Sequence, residues 1–252
     1  MKERWQPVRE WLTNFDKGNV LQYDMDKMYK LSPSDFKYLY EDCKHCYYQK
    51  VKGFIKELPS IGMPGVFMKM NSLLQNAIVG MDLREINSQL PAGKIEVKEG
   101  FLKSKPIPPA NDCFIGGRFD IASKLDDGTY CVIDFKITDP SEDKIQKFFA
   151  QLHAYKFALE NPAFGEPKKV SKMGVIAINP EEITFPGDDV VFKAKPQWFE
   201  IAEDLDRFYA IISEVSKLLN GPEPPENPDK CKWCYYRICT QKLSGTQEDI
   251  PF

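Results

Sequence analysis

The chain has 252 residues, is 42% hydrophobic and 28% charged, and carries a formal charge of −3. That length and balance suit one large globular domain with its own core. They count against a general nucleic-acid-coating surface, which is more often basic, and no apolar run approaches the ~20 residues of a membrane span.

The opening Met1-Lys2-Glu3-Arg4-Trp5 lacks an apolar signal core, so the expected location is cytoplasmic, with no membrane partner. Seven cysteines in such a compartment argue for metal rather than disulfides.

In chain order, Trp5, Val8, Trp11, Leu12 and Phe15 have the spacing of one helix face. Leu31-Ser32-Pro33-Ser34-Asp35 is a helix start, with Ser32 as N-cap and Pro33 at the first position; this helix is expected to reach about Tyr48. Lys44, Lys50, Lys52 and Lys56, interleaved with Tyr47, Tyr48 and Phe54, read first as a solvated helix end and second as a track for a single strand. A link with Pro59, Gly62, Pro64 and Gly65 precedes a helix over Val66–Val79.

The character changes near residue 93. Strands are expected at Lys94–Leu102, Phe114–Leu125 and Thr129–Thr138, with Asp126-Asp127-Gly128 as a turn. Gly116-Gly117 marks a bulge or a close backbone approach. A helix follows from Pro140 to about Leu159, then an apolar strand at Met173–Ile178 and a fifth at Val190–Ala194. A long helix is expected over Pro196–Leu219, and a Pro-rich link from Gly221 leads to a Cys-rich tail.

The expected fold is therefore α/β, with a mixed sheet of about four to five strands flanked by helices. It divides into a helical N-terminal region (1–92), a core with its long helix (93–220), and a link with a tail (221–252), all in one structural unit.

Val132-Ile133-Asp134-Phe135-Lys136 carries the chemistry. Side chains alternate along a strand, so Asp134 and Lys136 share one face while Ile133, Phe135 and Ile137 share the other. Asp120, at the end of Gly117-Arg118-Phe119-Asp120, lies on the preceding strand. Gln151 and Tyr155 are four apart on the next helix and share a face.

Hydrolysis of a phosphodiester needs a nucleophilic water, relief of charge at phosphorus and a stabilised leaving oxygen. Asp120, Asp134 and a carbonyl beside it, that of Phe135, are hard ligands for Mg²⁺ or Mn²⁺. Lys136 is suited to hold the water or to stabilise the pentacoordinate phosphate. His153 points away from Gln151 and Tyr155 and reads as a surface or packing residue.

Gly117-Arg118-Phe119-Asp120, Ile133-Asp134-Phe135-Lys136 and Gln151-Leu152-His153-Ala154-Tyr155 together resemble the PD-(D/E)XK nuclease superfamily, in its RecB-like branch. The resemblance covers about Lys94 to Ile178. It implies a restriction-endonuclease-like core and a metal-dependent deoxyribonuclease of DNA processing or repair. In it Asp120 and Asp134 bind the cation, Lys136 is catalytic, and Gln151 and Tyr155 support the site and the DNA phosphate. The DNA would be single-stranded or an end, with RNA left open and any helicase partner unspecified.

One departure stands out. The RecB-like helix before the sheet usually offers a His or Glu to the metal. Here Gly65 to Gln75 has neither, and offers only Asn71 or Gln75. The competing reading is a catalytically weak nucleic-acid-binding or assembly module that keeps the fold.

Cys43-Lys44-His45-Cys46-Tyr47-Tyr48 and Cys231-Lys232-Trp233-Cys234-Tyr235-Tyr236 are near copies, and Cys239 adds a further thiol. Two assignments compete. Cys43, Cys46, Cys231 and Cys234 would hold Zn²⁺ or a cluster. Alternatively, Cys43 with Cys231, Cys234 and Cys239 would hold a [4Fe–4S] cluster, a layout that resembles the iron–sulfur subset of RecB-like nucleases. His45 is a substitute ligand, and Cys113 and Cys131 are expected in the core.

Overall fold

A computed structural model describes residues 28–55, 65–228 and 230–244. The apolar face from Trp5 to Phe15, the link residues 56–64 and the end of the tail lie outside these. Among the described residues no helix is long and apolar enough to cross a membrane.

The centre is a mixed six-stranded sheet. Its axis is β3 (Cys113–Leu125). Along one edge β2 (Gly93–Pro106) runs antiparallel, from Gly93 opposite Leu125 to Pro106 opposite Phe114. The other edge is shared. The short β1 (Tyr29–Leu31) pairs parallel with Cys113–Ile115 at one end, and β4 (Tyr130–Ile137) pairs antiparallel with 121–124 at the other. Between them, residues 116–120 of β3 pair with no strand on that edge among the described residues. β5 (Val170–Ile178) lies parallel to β4, and β8 (Gln197–Glu200) closes the sheet antiparallel to β5.

The alternation of strand side chains sorts the core into two layers. Val132 and Val175 join a large cluster with Leu152, Tyr155, Phe208 and Ile212. These come from α6 (Phe149–Glu160) and α7 (Leu205–Asn220). Ile133, Phe135 and Ile176 face the opposite way, toward Ile78 and Leu83, from α3 (Gly65–Ile78) and α4 (Leu83–Ile86). The sheet is thus covered by helices on both faces, the restriction-endonuclease-like arrangement expected from the sequence.

Four expectations are corrected. The helix expected from Ser32 to Tyr48 is broken. α1 (Pro33–Asp35) runs into a π turn over Phe36–Tyr40, and α2 (Lys44–Val51) begins anew. Cys43 is extended, and its sulfur accepts from the Cys46 amide as an N-cap. The helix expected over 140–159 is two, α5 (Glu142–Gln146) and α6, so that Ile145 and Phe148 can both be buried.

The helix expected from Pro196 begins as strand β8, and Asp204 caps α7 by accepting from the Arg207 amide. Phe199, Ala202 and Leu205 fit a helical spacing by chance, while Trp198 and Phe199 are held in register by β5. Finally, the strand expected at Val190–Ala194, β7 (Val191–Ala194), leaves the main sheet and pairs with β6 (Pro180–Thr184) in a separate hairpin. A further helix, α8 (Lys232–Ser244), follows directly on Cys231 and carries Cys234 and Cys239.

Candidate active site and thiol cluster

The β3–β4 ladder stops at Ile121 opposite Ile133. One step further the same register would set Asp120 opposite Asp134, but the strands have parted. Into this fork the Phe135 amide donates to Asp120 Oδ2 at 3.3 Å. A strand residue's N–H and C=O point to the same side, so the Phe135 carbonyl shares the direction of that amide.

Asp134 is 1% exposed. Lys136 Nζ lies 2.8 Å from Asp134 Oδ2 and 3.8 Å from Asp120 Oδ2. From α6, Gln151 Nε2 donates to Asp134 Oδ1 at 3.1 Å and to the Tyr155 hydroxyl at 3.0 Å. All five residues singled out in the sequence are brought together.

Burial pushes the Asp134 carboxyl up to about 7, against the pull of Lys136 and helped by the second carboxylate, Asp120. Burial also opposes the charge of Lys136, yet Asp134 and Asp120 outweigh it and hold that ammonium above the ordinary lysine value. Burial likewise keeps the Tyr155 phenol protonated, well above its usual range. Gln151 Oε1 is buried without a hydrogen bond among the described residues, and the buried Asp134 Oδ2 is met by the Lys136 ammonium at 2.8 Å. A buried carboxylate oxygen whose only partner is one ammonium is costly. Asp134, Asp120 and the Phe135 carbonyl are the hard oxygens that would hold a divalent cation here.

The fork opens into a cleft of about 940 Å³. Sequence reasoning missed part of its wall. Lys37 and Tyr38 come from the π turn, and Lys144, Lys147 and Phe148 from the α5–α6 region. The Lys37 ammonium sits 3.1 Å from the centre of the Phe148 ring. Burial, then the neighbouring Lys136, lowers its pKa to about 8.

Lys37 and Tyr38 reach the cleft because α1 lies against the open edge of β3. A Cβ on Gly117 would come 2.8 Å from Pro33 Cδ, and one on Gly116 would come 2.8 Å from Lys30 Cε. Gly116-Gly117 thus mark a close approach, and that pair was the available signal. From α3, Phe67, Met68, Asn71 and Ser72 line the cleft, while Gln75 is buried with its Oε1 unpaired among the described residues. His153 is buried packing: Nδ1 contacts the Phe149 carbonyl and Nε2 accepts from the Asp204 amide.

The second site lies where α2 meets α8. The sulfurs of Cys43, Cys46, Cys231 and Cys234 all lie within 4.8 Å of one another. Cys46–Cys234 are 3.6 Å apart, Cys43–Cys234 3.7 Å and Cys46–Cys231 3.8 Å. Cys239 is outside this group, beside the Tyr235 hydroxyl. His45 is also occupied elsewhere, with Nδ1 at 2.7 Å from the Pro225 carbonyl and Nε2 at 3.0 Å from Gln49.

The basic aromatic segment serves this region. Tyr47 and Tyr48 are buried, Lys50 pairs with Asp35, and Lys52 reaches the Tyr29 hydroxyl. Cys113 and Cys131 are buried in the core, as expected.

The family model of the PD-(D/E)XK nuclease superfamily matches residues 67–240. The chain belongs to that superfamily, and its fork, lysine and α6 glutamine stand inside the matched region. No curated protein sequence matches the chain. Among solved structures, one described as "Crystal structure of SSO0001" is 14% identical, covers 91% of this chain and 89% of its own, and superposes with a TM-score of 0.45.

Proposed function

We propose that this protein is a Mg²⁺- or Mn²⁺-dependent deoxyribonuclease of the RecB-like type, acting in the cytoplasm on single strands or ends during DNA processing or repair. The observation that carries the reading is the fork itself: two carboxylates, one lysine and a buried amide–phenol pair at the parting of β3 and β4, open to a cleft walled by further lysines.

Asp120, Asp134 and the Phe135 carbonyl would hold the cation, which when bound supplies an acidified water and neutralises charge on the phosphate. Gln151 fixes the Asp134 carboxylate through Oδ1 and leaves Oδ2 directed to Lys136. Lys136 stays charged beside both carboxylates and stabilises the phosphate oxygens as charge develops. Tyr155 stays protonated and holds the Gln151 amide in place. Lys37, Lys144 and Lys147 supply phosphate contacts along the cleft, and Tyr38 and Phe67 offer faces for unstacked bases.

In this reading the chain works as one unit, with regions 1–92, 93–220 and 221–252 fastened by a structural metal at the four thiols. A tetrahedral ion with bonds of about 2.3 Å needs sulfurs about 3.8 Å apart; Cys46–Cys234, Cys43–Cys234 and Cys46–Cys231 at 3.6 to 3.8 Å match, and all four sulfurs lie within 4.8 Å of one another. A [4Fe–4S] cluster needs a wider cage between the same sulfurs, so Zn²⁺ is the better fit.

A second reading has its own support. The α3 residues lining the cleft include no acid and no histidine, as a weakly active DNA-binding or assembly module would show. Cleavage of end-labelled single-stranded and duplex DNA, with Mg²⁺, Mn²⁺ or chelator, decides between them. The nuclease reading expects metal-dependent products that vanish in Asp134→Ala and Lys136→Ala. Products of equal yield from those variants, or none from the wild type beside retained DNA binding, would overturn it.

A further inference from the structure

The four thiols are not served alike. Each CxxC motif stands at a helix start, and at the first the sulfur of Cys43 accepts from the Cys46 amide at 3.4 Å.

The second cysteine of each motif sits within the first turn, and no backbone hydrogen bond reaches its sulfur among the described residues. These two sulfurs share one charged donor. Arg237 Nη2 lies 3.3 Å from Cys234 Sγ and 3.6 Å from Cys46 Sγ. The other arm of the guanidinium donates to Gln49 Oε1. Gln49 Nε2 in turn meets His45 Nε2 at 3.0 Å, and His45 Nδ1 meets the Pro225 carbonyl at 2.7 Å. α2 and the link before α8 thus orient a cation carried by α8.

Four thiolates around a divalent ion leave a net charge of −2 in a buried place, and a [4Fe–4S]²⁺ cluster would leave the same. We propose that Arg237 is the charge-compensating and positioning residue of the thiol site, donating to one sulfur from each motif, with Gln49 as the side chain that aims it. This rests on the reading of the four cysteines as a metal site. It extends that reading from the ligands to the charged group that faces the sulfurs of Cys46 and Cys234 together. The planar guanidinium holds one arm on Gln49 while the other meets both sulfurs, an arrangement the single ammonium of a lysine reproduces only in part.

The test uses the full chain, stripped of metal under reducing anaerobic conditions and titrated with Co²⁺. Thiolate-to-cobalt charge-transfer absorption reports both affinity and the number of sulfur ligands. Loss of an outer partner of a metal ligand costs about 10–100-fold in affinity. Arg237→Met is expected to lose that much, Arg237→Lys to recover part of it, and Gln49→Leu to fall between wild type and Arg237→Met. Circular dichroism of each variant checks the fold; should Arg237→Met not fold, the milder Gln49→Leu carries the test. Co²⁺ bound by Arg237→Met and Gln49→Leu as tightly as by the wild type, with an unchanged spectrum, would overturn the proposal. No charge-transfer band in the wild type would instead overturn the metal site on which it rests, and the proposal with it.

Discussion

The carboxylate fork draws its residues from one stretch, positions 120–155, whereas the thiol cluster joins Cys43 and Cys46 to Cys231 and Cys234. The fork is built on two strands and the helix after them, so its geometry follows from the hairpin register and a four-residue helix spacing. The cluster depends on both ends of the described chain meeting, and nothing local enforces that meeting. The two sites also handle burial differently. At the fork one lysine serves two carboxylates, one of them fully buried, so the charge there stays poorly neutralised and open to a cation. At the cluster Cys43 is served by a backbone amide and Cys46 and Cys234 by a guanidinium, as suits a site that holds structure.

Substitutions that break this contrast differ in size. Lys136→Ala is expected to lower single-turnover DNA cleavage by about 10²–10³-fold, and Asp134→Ala by at least as much. Both should keep the cobalt spectrum of the thiol site, because the sites share no residue. Cys46→Ser is expected to do the reverse. Thermal unfolding should show a Tm lower by roughly 10 °C, the loss of about 3–5 kcal/mol of metal-linked stability in a chain of this length. Amide exchange should rise across α8.

The elevated carboxyl of Asp134 makes the fork sensitive to pH. A proton and a cation compete for the same oxygens, so Mn²⁺ affinity should weaken by about tenfold per pH unit below about 7. The sign for stability is opposite. A carboxyl raised in the folded state binds its proton more tightly there than in the unfolded chain. Its contribution is present at low pH and is lost as pH rises from the ordinary carboxylate range through about 7. Without divalent cations, Asp134→Asn should therefore lose less Tm than the wild type between pH 5 and pH 8, by a few °C in scanning calorimetry. A smaller effect is expected at the close approach of α1. Gly117→Ala, with its Cβ against Pro33, should cost about 1–3 kcal/mol in chemical denaturation, and it should raise KM for DNA by moving Lys37 and Tyr38.

The same contrast explains what the sequence made legible. Asp120, Asp134, Lys136, Gln151 and Tyr155 were readable because strand alternation and helix spacing place them without reference to the rest of the molecule. The cysteine motifs were readable as a constellation, but the choice between Cys46 and Cys239 was not, since it depends on how α8 meets α2. Lys37 was missed because a π turn broke the expected helix. Trp198 and Phe199 were misread because β5 imposes a strand on residues with helical spacing. The errors thus fall where tertiary pairing overrides local pattern.

The most direct test of the fork as a cation site is a Mn²⁺ titration followed by electron paramagnetic resonance, with wild type and Asp120→Ala side by side at pH 8. The account predicts a tight site in the wild type, lost in Asp120→Ala, while the thiol site stays loaded in both. Equal Mn²⁺ binding by the two proteins would contradict it.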